Sequence, residues 1–230
     1  MLSPLATTHH QVVVALSAIY GELAGGFAPD APASGLDMGL DKALRNHWQF
    51  WAAVFLWAVF SIYWDRAAKG AGATKSSESR ASRALHVFLT NAALLLVLAP
   101  IHGLGRFLPA SFAVMTAGLV VEALGLALAI WSQRHLGRNW SGEISIKVDH
   151  QLIRSGPYRR VRHPIYTGLL AMYVGSALVT GEWLALIGLA AVTLAYGRKI
   201  RLEEANLKVA FGVAFDAYRR ETWALVPGVF

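Results

Sequence analysis

Residues 150–168, HQLIRSGPYRRVRHPIYTG, combine cationic side chains with a helix start in a pattern that favours anion binding. Four arginines and two histidines lie in this segment, although only 15% of the residues in the chain are charged. Pro164 suits the first position of a helix, because its missing N–H would have no partner there. A helix N-terminus also presents partial positive charge and free N–H groups. The segment ending at Arg162 and His163 therefore predicts an anion-binding corner, and we expect the chemistry of the protein there.

Long apolar segments must position this corner. The chain of 230 residues is 55% hydrophobic, and its apolar residues form five blocks: Trp48–Trp64, Ala84–Ile101, Ser111–Trp131, Pro164–Thr180 and Trp183–Gly197. The first three are long enough, or nearly so, to cross about 30 Å of hydrocarbon at about 1.5 Å per residue. The last two are joined only by Gly181 and Glu182, which predicts a tight helical hairpin. The pattern indicates an all-α integral membrane protein with about five transmembrane helices.

The blocks divide the chain into three parts. Residues 1–47 are expected to form a surface helix followed by a loop, with breaks at Pro29, Pro32 and Gly35. Residues 48–134 hold three spans, joined in part by a flexible connector over Lys69–Ser82. Residues 135–230 hold the basic loop, the hairpin and a C-terminal amphipathic helix. That helix is predicted over Arg198–Tyr218, with an apolar face spaced about four residues apart: Leu207, Phe211, Phe215 and Tyr218.

Charge predicts the orientation and excludes some partners. Eighteen of the 21 Lys and Arg residues lie in three clusters on one predicted side of the membrane, within 65–83, 134–162 and 198–220. The positive-inside rule places these clusters and the C-terminus in the cytoplasm. The net charge of +7 predicts contact with anionic lipid headgroups. Nucleic acid is not expected as a partner, because no soluble basic domain is present. The chain has no cysteine and no histidine spacing that suits a metal site.

Four C-terminal motifs carry a family resemblance. They are LGRNWSG at 136–142, HQLIRSGPYRRVRHPIYTG at 150–168, RLEEANL at 201–207 and FGVAFDAY at 211–218. In order, spacing and residue type they resemble the isoprenylcysteine carboxyl methyltransferase and phospholipid methyltransferase superfamily, over about the last hundred residues. The resemblance implies an integral membrane methyltransferase core over 135–230. It also implies S-adenosylmethionine as the cofactor, held in a cytoplasmic pocket of membrane helices that the C-terminal segment closes.

The resemblance also implies which residues form the site. Carried over position by position, the cofactor contacts are His150, Leu152, Ile153, Tyr158, Arg162, His163, Pro164, Ile165, Glu203 and Glu204. These residue types suit the cofactor: Arg162 with the helix start would hold its carboxylate, and a glutamate its ammonium. Tyr158 and the backbone of Leu152 and Ile153 would frame the adenine. Arg162, His163 and Glu204 are the predicted catalytic residues.

The acceptor is expected to be lipophilic and to enter from the bilayer. The family's name-giving acceptor is the carboxylate of an isoprenylcysteine, which needs no base but needs a cation to position it, and Lys199 or Arg201 is the candidate. A phospholipid amine or a thiol is the alternative acceptor. Either would have to lose a proton, for which His163 or Glu204 is the best-placed base.

Other interpretations stay open at this point. Membrane sterol reductases share a similar helical C-terminal region but would use NADPH, and a membrane scaffold or small transporter would need no chemistry. Glu203 and Glu204 could simply neutralise neighbouring basic residues of their helix. Glu122 lies inside a predicted span, where a carboxylate is costly and is either functional or held by hydrogen bonds. The charge pattern suits a bacterial inner membrane and an endoplasmic reticulum equally, with the active site facing the cytoplasm.

Overall fold

A computed structural model describes residues 33–69, 74–77, 79–98, 105–109, 111–140, 145–147 and 151–228. Within these residues the helices are α1 (Ala33–Lys69), α2 (Arg80–Leu98), α3 (Phe112–Leu136), α4 (Pro164–Thr180), α5 (Trp183–Phe211) and α6 (Val213–Glu221). Two short strands, β1 (Thr74–Ser77) and β2 (Ser145–Lys147), pair antiparallel. The regular secondary structure of the described residues is thus helical apart from this pairing and two isolated β-bridges.

The described part of every predicted apolar block lies in a helix, apart from Ser111, which caps α3. Three helices, α2, α3 and α5, are long and apolar enough to cross a membrane by length and composition, and α4 is apolar but only 17 residues long. The first block, Trp48–Trp64, lies within α1. The predicted all-helical membrane architecture is confirmed. The sequence predicted about five spans, and three helices among the described residues are long and apolar enough to be spans.

Several described residues of two predicted loops lie in helices or strands. α1 begins at Ala33, so Gly35 lies within a helix, and the upstream part of the predicted N-terminal extension, residues 1–32, lies outside the described residues. The expected break was wrong because a single glycine costs a helix only about 1 kcal/mol. The connector Lys69–Ser82 contains β1, which pairs with β2. This pairing satisfies backbone groups that a free connector would leave to water.

The predicted C-terminal helix differs in where it begins and ends. α5 continues without a break from the apolar hairpin through Arg198 to Phe211, and Gly212 then separates it from α6. Gly212 has a φ of 51°, a conformation that favours glycine. The predicted apolar face survives in part, because Phe215 and Tyr218 of α6 are buried. Periodicity predicted the buried face but not the glycine break within it.

Glycines bring α3 and α4 into close antiparallel contact, the most extensive helix pair of the described fold. A Cβ atom added at Gly125 would lie 2.5 Å from the carbonyl oxygen of Gly168, and one added at Gly118 would lie 2.6 Å from that of Gly175. Small residues at such positions let membrane helices approach closely. The predicted hairpin between α4 and α5 is also present, with Gly181 at a φ of 62° and its N–H bonded to the carbonyl of Ala177.

A buried polar chain links three helices inside this core. Trp57 of α1 donates from Nε1 to Ser176 Oγ at 2.9 Å, and Ser176 Oγ lies 3.0 Å from Glu122 Oε2 of α3. Glu122 has no exposed surface. The chain links α1 to the α3–α4 pair, and it satisfies Glu122 Oε2, whereas Glu122 Oε1 is buried without a hydrogen-bond partner among the described residues.

Candidate functional site

The basic corner forms at the start of α4 as the sequence predicts. Pro164 occupies the first helical turn and His163 caps the helix, with φ −124° and ψ 57°. His163, Pro164 and Ile165 are all buried, so the helix start lies inside the protein. Proline contributes no N–H here, and Glu203 and Glu204 of α5 together with the segment Thr222–Leu225 contact the corner.

Glu204 of α5 is the anion that meets this corner. Arg162 donates from Nε to Glu204 Oε1 at 2.8 Å, and His163 Nε2 lies 3.2 Å from the same oxygen. Only 9% of the Arg162 side chain and 14% of the Glu204 side chain are exposed. Because an ionised carboxylate only accepts hydrogen bonds, His163 donates from Nε2. The three residues predicted to be catalytic therefore form one contiguous cluster.

The electrostatics of Glu204 follow from these contacts. Burial by itself would raise the pKa of this carboxyl, but the hydrogen bonds from His163 and Arg162 favour the carboxylate and lower the pKa to about 2. Arg219 adds a more distant positive charge, with its Nε 3.7 Å from Glu204 Oε2. Glu204 is consequently a carboxylate at neutral pH.

The C-terminal strap, Thr222–Leu225, lies across the corner. Its backbone pairs with the loop before α4: Arg162 N–H donates to the carbonyl of Trp223 at 2.8 Å and His163 N–H to that of Ala224 at 3.0 Å. The Arg162 guanidinium also donates to the carbonyl of Thr222. Thr167 of α4 donates to the carbonyl of Leu225 at 2.8 Å. The strap thus binds to the same arginine that holds Glu204.

Glu203 lies beside this cluster and is more accessible. Tyr166 of α4 donates from its hydroxyl to Glu203 Oε2 at 3.1 Å, and His163 Nδ1 lies 3.9 Å from the same oxygen. The Glu203 side chain is 36% exposed. Of the two adjacent glutamates, Glu203 is therefore the one with surface left for a ligand.

The loop that precedes α4 is held by its aromatic residues. Tyr158 is buried, and its hydroxyl lies 3.4 Å from the carbonyl of Ser132. Burial, and after it the negative charge of Glu203, raises the pKa of Tyr158 above its ordinary range. Tyr218 of α6 donates to the carbonyl of Tyr158 at 2.7 Å. Burial raises the pKa of Tyr218 to about 12, so the hydroxyl keeps the proton that it donates.

His135 is a loop contact that the sequence prediction missed. Its ring stacks on Tyr158 with centroids 6.3 Å apart, and its Nε2 lies 2.9 Å from Ser155 Oγ. A Cβ atom at Gly156 would come within 2.7 Å of the imidazole, and Gly156 has a φ of 58°. The Gly156-Pro157 turn was visible in the sequence, but nothing in it indicated which residue it faces.

The remaining predicted residues are less closely gathered. Leu152 and Ile153 are half-buried in the loop, and His150 lies outside the described residues. Lys199 is buried on the core side of α5, whereas Arg201 is exposed. Two residues apart on a helix, they point to different faces. They do not meet around one acceptor: Lys199 is buried and Arg201 lies on the outer face of α5, and the substrate-binding role of either stays a prediction.

The cluster as a whole is a closed ion pair with one open carboxylate beside it. The sequence prediction placed a ligand between Arg162 and a glutamate, but in the structure Arg162 contacts Glu204 directly. Arg162 and Glu204 therefore position the loop, α5 and the strap, and Glu203, beside the half-buried Tyr166, is the more exposed carboxylate next to them.

Comparison with known proteins bears on this region. The sequence model described as phospholipid methyltransferase matches residues 113–214, which include Arg162, His163 and both glutamates. A protein-S-isoprenylcysteine O-methyltransferase of Schizosaccharomyces pombe is 28% identical over 115 residues, 49% of this chain and 49% of the relative. Protein-S-isoprenylcysteine O-methyltransferase B of Arabidopsis thaliana is 30% identical, over 49% of this chain and 58% of the relative.

The family resemblance predicted from the sequence is confirmed. A third relative is the cobalt-zinc-cadmium resistance protein CzcN of Cupriavidus metallidurans, 36% identical over 47% of this chain and 49% of the relative. The chain spans about half the length of the curated relatives it matches. Among solved structures, the eukaryotic intramembrane Ras methyltransferase ICMT aligns over 99% of both chains with 16% identity and a TM-score of 0.46.

Proposed function

We propose that this protein is an S-adenosylmethionine-dependent membrane methyltransferase acting on a lipophilic acceptor. One observation carries the proposal: Arg162, His163 and the two glutamates converge at the start of α4 and lie within the segment similar to phospholipid methyltransferases. The site lies at the end of an apolar helix bundle, where a lipophilic molecule reaches it from the bilayer.

The residues present fit such a cofactor. Its ammonium would pair with Glu203, the accessible carboxylate, and Tyr166 and the backbone around Leu152 and Ile153 would frame its flat ring. When bound, the cofactor supplies a methyl group already activated by its sulfonium. Methyl transfer then needs alignment and exclusion of water more than a catalytic acid. Arg162 and Glu204 would serve this need by holding the loop, α5 and the C-terminal strap together.

The acceptor we favour is the carboxylate of an isoprenylcysteine-type molecule. The names of several relatives support it, and so does the electrostatics of the site. A carboxylate whose pKa is about 2, as for Glu204, is a poor proton acceptor at neutral pH. A carboxylate acceptor needs no base, whereas a phospholipid amine or a thiol must lose a proton. Those two acceptors are the alternatives, with His163 as the remaining base.

Calorimetry on the detergent-purified protein tests the proposal. S-adenosylhomocysteine should bind and NADPH should not, which separates a methyltransferase from a reductase and from a scaffold. Glu203→Gln should weaken S-adenosylhomocysteine binding by roughly 10- to 100-fold, because a charge-assisted hydrogen bond contributes about 1.5–3 kcal/mol. Asp216→Asn is the matched control, since Asp216 is 34% exposed, close to the 36% of Glu203, and pairs with Lys208 rather than with a residue of the corner. Binding of NADPH alone, or of neither molecule, would overturn the proposal.

A further inference from the structure

A groove of about 310 Å³ lies on the outer face of α5, away from the buried face that packs against α2 and α4. It is lined by Thr193, Leu194, Gly197, Arg198, Arg201 and Leu202. These residues recur at three- and four-residue spacing, so they share one side of the helix. Gly197 has no side chain to fill the groove, and a Cβ atom added there would meet no heavy atom within 4 Å. We call this position the floor of the groove.

The groove is apolar at one end and basic at the other. Leu194 is 76% exposed within the apolar segment Trp183–Gly197, and Arg201 lies seven residues further along, about 10 Å at the rise of a helix. Arg198 is held at the edge of the groove, where it donates to Ser82 Oγ of α2 at 2.9 Å. A guanidinium fixed in advance loses less freedom when it binds an anion.

We infer that this groove binds an anionic phospholipid, with its phosphate between Arg198 and Arg201 and an acyl chain along Gly197 and Leu194. The arrangement matches the two parts of such a lipid: the arginines complement the phosphate, and the apolar end continues into the hydrocarbon. General attraction between a basic protein and an anionic membrane would need no groove. A defined site with a glycine floor predicts selectivity for one stoichiometric lipid.

Native mass spectrometry of the full-length protein in detergent tests this inference. Added phosphatidylglycerol should give one retained lipid, whereas phosphatidylcholine and free glycerol phosphate should not. The double variant Arg198→Gln/Arg201→Gln should weaken phosphatidylglycerol binding roughly 30-fold, which corresponds to about 1 kcal/mol for each basic residue. Gly197→Leu keeps both arginines but fills the floor, and should weaken binding at least about 10-fold. No methyl donor is present, so the outcome does not depend on the proposed activity.

The double variant Arg159→Gln/Arg160→Gln is the matched control, because it removes the same charge from exposed positions outside the groove. It should leave phosphatidylglycerol binding unchanged. An equal loss in this control would show diffuse surface attraction and overturn the site. Unchanged binding in both groove variants would overturn it as well. Displacement of phosphatidylglycerol by an equal concentration of an S-prenylated N-acetylcysteine would reassign the groove to the methyl acceptor.

Discussion

Glu204 joins three parts of the chain that are distant in sequence. Its carboxylate accepts from Arg162 and His163 before α4, and Arg162 in turn binds the strap at Thr222. Taking a carboxylate and a guanidinium out of water is costly, and the cost is offset only when both are well hydrogen-bonded. Here both are. Removing one partner would leave the other buried and uncompensated, so the corner acts as a unit.

Replacement of Glu204 should therefore have a pH-dependent effect on stability. The pKa of this carboxyl falls from an ordinary value of 4.5 to about 2 in the folded protein. Its contribution is fully present above about pH 4.5 and is lost as the pH falls towards 2. Glu204→Gln should lower the free energy of unfolding by about 2–3 kcal/mol at pH 7 and by progressively less below pH 4.5. Thermal unfolding in detergent at several pH values measures this difference.

The exposed Glu221→Gln should change the unfolding free energy by less than about 1 kcal/mol over the same pH range. A difference between Glu204→Gln and the unsubstituted protein that did not shrink towards low pH would contradict the assignment of the lowered pKa.

Residue types predicted which side chains meet at the corner, and the cofactor and catalytic roles assigned to them stay predictions. The motif 150–168 and the pair Glu203 and Glu204 indicated which side chains would meet, and they do meet. The sequence did not predict that Arg162 and Glu204 would bind each other, because either could equally face a ligand. Such pairing depends on which residues of α5 lie level with the start of α4. Helix packing determines this level, and the local sequence does not.

At the scale of elements, the close contact of α3 and α4 positions the corner. α4 starts at Pro164, and its level relative to α3 is fixed by Gly125 against Gly168 and by Gly118 against Gly175. Ser132 and His135, near the end of α3, then meet Tyr158 of the loop. A shift of α4 along α3 would displace the loop and the corner together.

Filling this glycine contact should destabilise the bundle. Gly125→Ala places a Cβ atom 2.5 Å from the backbone oxygen of Gly168. A backbone atom cannot move aside by a change of rotamer, as a side-chain atom can. Overpacking of this kind costs about 1–3 kcal/mol. Gly197→Ala is the matched control: it is also a helical glycine, but open space lies above it, so alanine should leave stability unchanged or raise it by up to about 1 kcal/mol. Unfolding temperatures in detergent compare the two, and equal shifts would contradict the close packing.

The hydropathy of the sequence predicted where the helices lie but not where each helix ends. The blocks Pro164–Thr180 and Trp183–Gly197 predicted the hairpin, since Gly181 supplies the left-handed turn that separates them. Hydropathy fell after Gly197 and suggested a separate surface helix, yet α5 continues to Phe211. Nothing breaks a helix at Arg198, whereas Gly212 does so fourteen residues later, and this continuity is what carries Glu203 and Glu204 to the corner.

At the scale of the whole molecule, contacts gather the basic clusters at one end of the bundle. β1 pairs with β2, Arg198 reaches Ser82, and Arg162 reaches Glu204, which joins the segments 65–83, 134–162 and 198–220. Arg106 lies at the other end, where its backbone forms an isolated antiparallel β-bridge with that of Glu182 beside the hairpin turn. The 25 residues of α3 separate the two ends by about 37 Å, enough to span the hydrocarbon core.

This separation predicts which surfaces are accessible from each side of the membrane. The chain has no cysteine, so a single introduced thiol reports its own position without background. In intact bacterial spheroplasts, a membrane-impermeant maleimide should label Pro109→Cys, which lies with Arg106 at the end expected to face outward. Lys69→Cys and Arg220→Cys, both exposed at the basic end, should be labelled only after permeabilisation, because the positive-inside rule predicts that this end lies in the cytoplasm.

Labelling of all three variants in denaturant serves as the control for thiol reactivity. Labelling of Lys69→Cys and Pro109→Cys from the same side would contradict the topology, whereas labelling in the exact reverse pattern would preserve the bundle and invert its orientation.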